Sequence, residues 1–428
     1  MGIKIIIVGG SVAGLSLANM LERFDIDYTI LEAVTFRDAN GKPISSTPGP
    51  TMSERMEKHA GYASLWVDRQ MLLQILYDNL RQKQKVLTNK RVVDVETTST
   101  GVAVTTEDGS THTGDILVGG DGVHSKVREE MWRIASVSDP IAFPQEERSI
   151  VQSSMKCIFG ISKQPVNFPP GATQESTFFR GHLYLVISAP GGRVYWFLFH
   201  ELGETKYGKD IPKFSKEDEL LLSTQHREDH ITEDMTFGDL YDNRIKSTLV
   251  PLEEHVFRRW HFQRILIIGD AATKVLPQPM DPGLHILQKC LVVLMLPSRS
   301  IRSQLKEETA LSEVCAIRYE RAFSMMKKGR RDGAFLCQQQ PFSGLMIHYV
   351  LPWLGDNLFF KELLKQSLAG PHIEKLPVPE RPHTTPYNDE LPQISSRYYL
   401  FGWTTGTLLV VSLGIQSAGR FAWVVKSR

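Results

Sequence analysis

A chain of 428 residues, 42% apolar and 23% charged, can bury a sizeable core, and two domains are the natural expectation. Its formal net charge of +1 excludes the basic field that a nucleic-acid partner requires. The four cysteines, Cys157, Cys290, Cys315 and Cys337, form no CxxC pair, so neither a metal site nor a disulfide framework is expected and a reducing compartment fits best.

The chain opens on an apolar run, Ile3 to Val8, followed by Gly9-Gly10-Ser11-Val12-Ala13-Gly14 and then a second run, Tyr28-Thr-Ile-Leu31, ending at Glu32. This reads as strand, glycine turn, helix, strand and acid. Gly9 makes the tight turn, Gly10 and Ser11 continue it, and Gly14 lets the helix pack close to the sheet. Free N–H groups at the helix start then face a pyrophosphate, and Glu32 is placed to accept from an adenosine ribose. Ser11 stands where the pattern has its middle glycine. Because the first strand begins at about Ile3, no cleavable leader is expected.

Residues 34–60 are polar and rich in Gly and Pro, and read as loop. Met71, Leu72, Ile75, Leu76 and Leu80 have helical spacing over 67–83. Arg69 stands at the start of that helix, either neutralising a pyrophosphate or simply solvated. Residues 91–106 and 111–118 alternate like strands, and the last of them runs into Gly119-Gly120-Asp121-Gly122-Val-His124-Ser125. An Asp-Gly turn lets backbone approach a ligand closely, and it equally starts a capped helix. Residues 150–260 read as short β-rich runs joined by turns, a second unit on a mostly antiparallel sheet. Its aromatics, Phe178, Phe179, Tyr184, Tyr195, Trp196 and Phe197, read as plain core or as one wall of an apolar pocket. Ile265-Leu-Ile-Ile268 then has the character of a buried parallel strand ending in Gly269-Asp270, where α/β sheets place ligands. Asp270 either accepts from a ligand hydroxyl or caps the next helix. His124, His200, His261 and His285 read as satisfied core or surface histidines, and no catalytic acid or base is assigned. Residues 300–375 read as helical, interrupted near Pro341 and Pro352.

A Pro-rich stretch, Leu376 to Pro386, leads to Leu400–Gly419, which is 20 residues without a charge, continued by Phe421-Ala-Trp-Val-Val425. That length crosses a hydrocarbon core as a helix, with Tyr398, Tyr399, Trp403 and Trp423 near its ends as interfacial anchors. Its threonines and serines leave a buried amphipathic helix as the other reading.

In their order, Gly9-Gly-Ser-Val-Ala-Gly14, Asp68-Arg-Gln70, Gly120-Asp-Gly-Val-His-Ser125, Trp260-His261 and Gly269-Asp270 resemble the single-component FAD-dependent monooxygenases of the aromatic-hydroxylase type. The closer resemblance is to their fungal branch, which epoxidises prenylated precursors of meroterpenoids and indole diterpenes. The resemblance implies an α/β fold: a Rossmann-like FAD-binding domain (1–148 and 261–340), an inserted β-rich substrate domain (149–260), a helical and Pro-rich linker (341–395) and a transmembrane helix (400–425). It implies FAD and NADPH as cofactors, a hydrophobic small-molecule substrate, and a single-pass membrane attachment with the catalytic part facing the cytosol. By the same resemblance Gly9, Gly10, Ser11 and Gly14 hold the pyrophosphate, Glu32 the adenosine ribose and Arg69 the pyrophosphate region. Asp121 and Gly122 lie in the segment that touches FAD and NADPH, Asp270 contacts the ribityl chain, and Gly283 supplies a close approach to the flavin.

Two stretches depart from the family pattern. Only 36 residues separate Glu32 from Arg69, roughly half of what the family carries. After Asp270 the family has a proline and a Gly-Gln-Gly turn opening a helix, whereas here Pro277, Pro279 and Pro282 crowd the approach to Gly283. These departures set the alternatives: an inactive flavoprotein-fold membrane protein that only binds, or a flavin dehydrogenase.

Overall fold

The computed structural model describes residues 4–8, 27–32, 59, 69–168, 174–189, 191–276, 304–346, 364–365, 368 and 383–387. The Gly9–Gly14 turn, the 34–60 loop apart from residue 59, Gly283 and the 400–425 segment lie outside these residues.

The first sheet is the parallel one anticipated from the sequence. Strand β1 (Lys4–Val8) pairs with β2 (Asp27–Glu32) on one side and with β7 (Ile116–Gly119) on the other, both parallel. Beyond β7 lies β16 (Ile265–Ile267), also parallel, and beyond β2 lies β3 (Val86–Thr88). A short antiparallel strand, β15 (His261–Phe262), closes one edge, giving the order β15-β16-β7-β1-β2-β3. Apolar runs without alternation fit a sheet covered on both faces: every residue of β7 and β16 is buried. Helix α1 (Arg69–Asp78) contributes Leu73 to the same core. Helix α2 (Lys126–Ser138) starts where Ser125 Oγ accepts from the Arg128 N–H at 3.0 Å, and it buries Val127, Met131 and Ala135. A small antiparallel sheet of β4 (Val92–Thr97), β5 (Val102–Thr106) and β6 (Thr111–Gly114) buries Val92, Val95, Val102 and Val104 in this core.

The second sheet is antiparallel: β8 (Gln152–Lys163), β9 (Gln174–Phe178), β10 (His182–Ala189), β11 (Arg193–Tyr207), β14 (Arg244–Val256) and β17 (Thr273–Lys274), ordered β17-β14-β8-β11-β10-β9. Its main strands are long rather than short, 12 residues in β8, 15 in β11 and 13 in β14. Gly160, Gly203 and Pro251 lie inside them for local reasons. Gly160, in mid-strand, leaves room for the Trp196 ring, whose Cζ2 an added Cβ would meet at 1.9 Å. Gly203 has a φ of +82° where the β11 register shifts. Pro251 pairs toward β8, while β17 reaches only His255 and Val256, so its missing N–H interrupts no described ladder on the other side.

Alternation sorts the aromatics of this sheet onto two faces, which corrects the reading of one wall. Tyr184 and Trp196 point to one face, packed under α3 (Lys216–Gln225), α4 (Phe237–Asp242) and the hairpin of β12 (His230–Thr232) and β13 (Met235–Thr236), with Phe179 against the same cluster. Phe178 and Phe197 join Phe159 and Phe199 on the other face, against Leu276 and Leu336. Leu336 ends α5 (Gln304–Leu336), a helix of 33 residues. The chain divides into two compact units, 1–385 and 386–428, and both sheets belong to the first. Among the described residues no helix is long and apolar enough to cross a membrane.

Candidate functional site

Four adjacent parallel strands finish level with one another. Val8 is in register with Leu31 and with Gly119, and Gly119 with Ile267. The carboxyl ends of β2, β1, β7 and β16 therefore share one edge, the place where ligands of α/β sheets sit. Each strand leads into one of the segments singled out in the sequence: Glu32 closes β2, the Gly9–Gly14 segment follows β1, Gly120-Asp121-Gly122 follows β7 and Gly269-Asp270 follows β16.

The turn after β7 is held from within. Asp121 accepts from Ser125 Oγ at 2.5 Å and from the Val127 N–H at 3.1 Å, at the start of α2. Burial pushes its carboxyl above the usual range, and these two donors pull the other way. Its side chain thus braces the turn, leaving backbone to meet a ligand. Gly122 supplies that backbone: its φ is +87°, and an added Cβ would have nothing within 4 Å. Gly119 brings β7 and α2 together, since a Cβ there would lie 2.7 Å from the Val127 Cβ.

The turn after β16 is tied to the first. The Ile268 N–H donates to the Gly119 carbonyl at 2.8 Å, and Gly269 has a φ of +60°. Arg128, which is 5% exposed, donates to the Ala271 carbonyl at 2.8 Å through Nη1 and to the Val123 carbonyl through Nη2. The Phe257 and Trp132 rings lie 4.7 and 5.3 Å from its guanidinium carbon. Burial lowers its pKa to about 10, so it stays charged at neutral pH. His255 Nε2 donates to the Asp270 carbonyl at 3.0 Å. Arg128 closes the glycine motif that begins at Gly119, though the sequence assigned it no role, and His255 is the residue that sequence reasoning missed. Arg128 carried a signal, three positions after the capping Ser125; His255 carried none, because its partner is a backbone atom 15 residues away.

Of the expected site residues, Asp121, Gly122 and Asp270 are brought to one place, linked through Arg128. For Glu32 and Arg69 only the backbone is described: Glu32 ends β2, and Arg69 opens α1. Gly9, Gly10, Ser11, Gly14 and Gly283 lie outside the described residues.

A fold of this kind, with two positive-φ glycines at the carboxyl edge of its parallel sheet, defines a dinucleotide-binding flavoprotein. The FAD binding domain family matches residues 36–279, more than half of the chain. The sequence is 30% identical over 427 residues to FAD-dependent monooxygenase ausM of Penicillium brasilianum, covering 89% of this chain and 88% of that one. It is 31% identical over 423 residues to FAD-dependent monooxygenase andE of Emericella variicolor, covering 89% of each. Among solved structures, HpxO of Klebsiella pneumoniae complexed with FAD and uric acid superposes with a TM-score of 0.62 at 18% identity, over 86% of this chain and 97% of that one. A salicylate hydroxylase substrate complex gives 0.58 at 18% identity, over 87% and 99%. The chain belongs to the FAD-dependent monooxygenases and is an oxidoreductase with FAD as its cofactor. The level strand ends and the open backbone at Gly122 fit that group.

Proposed function

We propose that this monooxygenase uses NADPH and O₂ to epoxidise or hydroxylate a hydrophobic, prenylated terpenoid intermediate in secondary-metabolite biosynthesis. The observation that carries the proposal is the pair of turns joined by Arg128, next in sequence to an aromatic sheet face. On that face Phe159, Phe178, Phe197 and Phe335 are only partly buried, with Phe159 and Phe197 edge to face at 5.4 Å. Such a face takes an apolar substrate by area burial and excludes water.

When bound and reduced by NADPH, FAD supplies the electrons that activate O₂, one oxygen atom entering substrate and the other leaving as water. The chain's part is to bind and orient. Backbone N–H groups of Gly9, Gly10, Ser11 and Gly14 would hold the pyrophosphate, and Glu32 would accept from the adenosine ribose. Arg69 offsets pyrophosphate charge, the Asp121-Gly122 turn lies along the cofactor, Asp270 accepts from the ribityl chain, and Gly283 allows close approach to the ring. Oxygen transfer to an alkene removes no C–H proton, so no side chain is assigned as acid or base. The uncharged run from Leu400 to Gly419 would anchor the enzyme to a membrane, with its catalytic part in the cytosol, where a poorly soluble substrate collects.

The test is purification of the whole chain. It is expected to be yellow and to consume NADPH and O₂ in step, faster with a prenylated substrate. Colourless protein that cannot be reconstituted with FAD overturns the proposal, and NADPH oxidation by an artificial acceptor without O₂ uptake makes it a dehydrogenase.

A further inference from the structure

On the α3 side of the antiparallel sheet, away from the face with Phe159 and Phe197, three polar rings meet one carboxylate and a fourth lies beside them. Asp229 Oδ2 accepts from His182 Nε2 at 2.8 Å, from His226 Nδ1 at 2.9 Å and from the Tyr184 hydroxyl at 2.7 Å. His200, directly across the β10–β11 ladder from His182, has its ring 5.2 Å from that of His226 and 5.9 Å from that of His182. We propose that His182, His226 and Asp229 form a zinc site, with water in the fourth position.

The donor set is that of zinc: imidazole nitrogens and a carboxylate oxygen on two separate segments, with ligand atoms all within 4.8 Å of one another. In a tetrahedral site with bonds of about 2.0 Å the ligand atoms stand about 3.3 Å apart. The hydrogen bonds from His182 and His226 to Asp229, at 2.8 and 2.9 Å, open by about 0.5 Å for an ion to take their place. The surrounding contacts are those that orient ligands from behind. Phe179 stacks on His182 at 4.7 Å and 4°, fixing its plane. Tyr184 donates to the carboxylate. The Asp229 backbone is clamped as well, its N–H donating to the His226 carbonyl at 3.1 Å and its carbonyl accepting from Phe237 at 2.8 Å. An ion here would pin the end of α3 and the loop after it to the sheet, without touching the flavin edge.

The test uses the full FAD-loaded chain, treated with a chelator and then titrated with zinc chloride against a competing zinc-responsive dye. One zinc ion per chain at sub-micromolar affinity, with a higher melting temperature, is expected. His226→Gln and Asp229→Asn should each weaken zinc binding by about 100-fold or more, while the flavin-to-protein ratio holds. Should Asp229→Asn fail to fold, His226→Gln and zinc-edge absorption spectra showing histidine ligands still decide the matter. Absence of stoichiometric zinc in protein that keeps its flavin and melts cooperatively overturns the proposal, as does zinc affinity unchanged in His226→Gln.

Discussion

Arg128 is the residue on which the turns after β7 and β16 converge. Arg128→Met keeps the side-chain volume but leaves the Ala271 and Val123 carbonyls without their donor, a loss of about 3 kcal/mol. Urea melts should register that loss, and the flavin absorbance of the purified variant should fall below that of the parent. His261 makes a second prediction. It is 2% exposed, its Nε2 lies 3.1 Å from Ser312 Oγ, and burial with Arg259 nearby lowers its pKa from 6.5 to about 4. Below pH 6.5 the unfolded chain takes up a proton there that the folded chain refuses. Stability is therefore lost as pH falls from 6.5 toward 4, by up to about 3 kcal/mol. Urea midpoints measured from pH 7.5 down to 4.5 should fall less steeply in His261→Gln than in the parent. At this scale the sequence was legible where a residue acts through its own backbone, as Gly122 and Gly269 do, and where a side chain caps its neighbours, as Ser125 does. It was silent where the partner comes from a distant segment: His182 and Asp229 are 47 residues apart, so no spacing rule brings them together, and His200 reads alone as a surface histidine.

Among the elements, α5 and β14 are joined by an ion pair whose carboxylate is buried and whose guanidinium reaches solvent. The Glu254 carboxylate is fully buried, accepting from Arg330 Nε at 2.7 Å and Gln152 Nε2 at 3.0 Å on one oxygen, while the other has no hydrogen-bond partner. Burial raises its pKa, and Arg330 opposes the rise. A carboxyl whose folded pKa is raised stabilises most when protonated, and loses that contribution as pH rises through the folded value. Arg330→Met removes the opposing charge, so it should cost about 3 kcal/mol at pH 8, and less as the pH falls, because a carboxyl with a raised pKa regains its proton sooner than an ordinary one. Urea melts at pH 8 and pH 5 test this; an equal loss at both would rule out the carboxylate as its source. The parallel strands were readable because both their faces are covered and their apolar runs do not alternate. The lengths of β8, β11 and β14 were not, because Gly160, Gly203 and Pro251 are permitted there by a tryptophan ring, a bulge and a sheet edge, all of them tertiary facts.

For the whole molecule, the boundary near Pro386 separates the unit with both sheets from the one with the uncharged run. Ending the chain at Thr385 should release the protein from the membrane fraction while its flavin content is kept. Carbonate-washed pellets of the parent and truncated chains, compared by immunoblot, check this; a parent chain found wholly in the supernatant removes the membrane reading. The architecture has one more consequence, in time rather than space. The bond from Arg128 to Ala271 closes over 143 residues, and β16 pairs with β7 only after the strands from β8 to β14 have been synthesised. Contacts of that separation form late, after loop entropy has been overcome. A ribosome-bound chain that has just completed β7 therefore owns the glycine turn but not the pocket. Capture of FAD therefore waits until the chain has passed Ala271, and chains without flavin would stay exposed to proteolysis for longer.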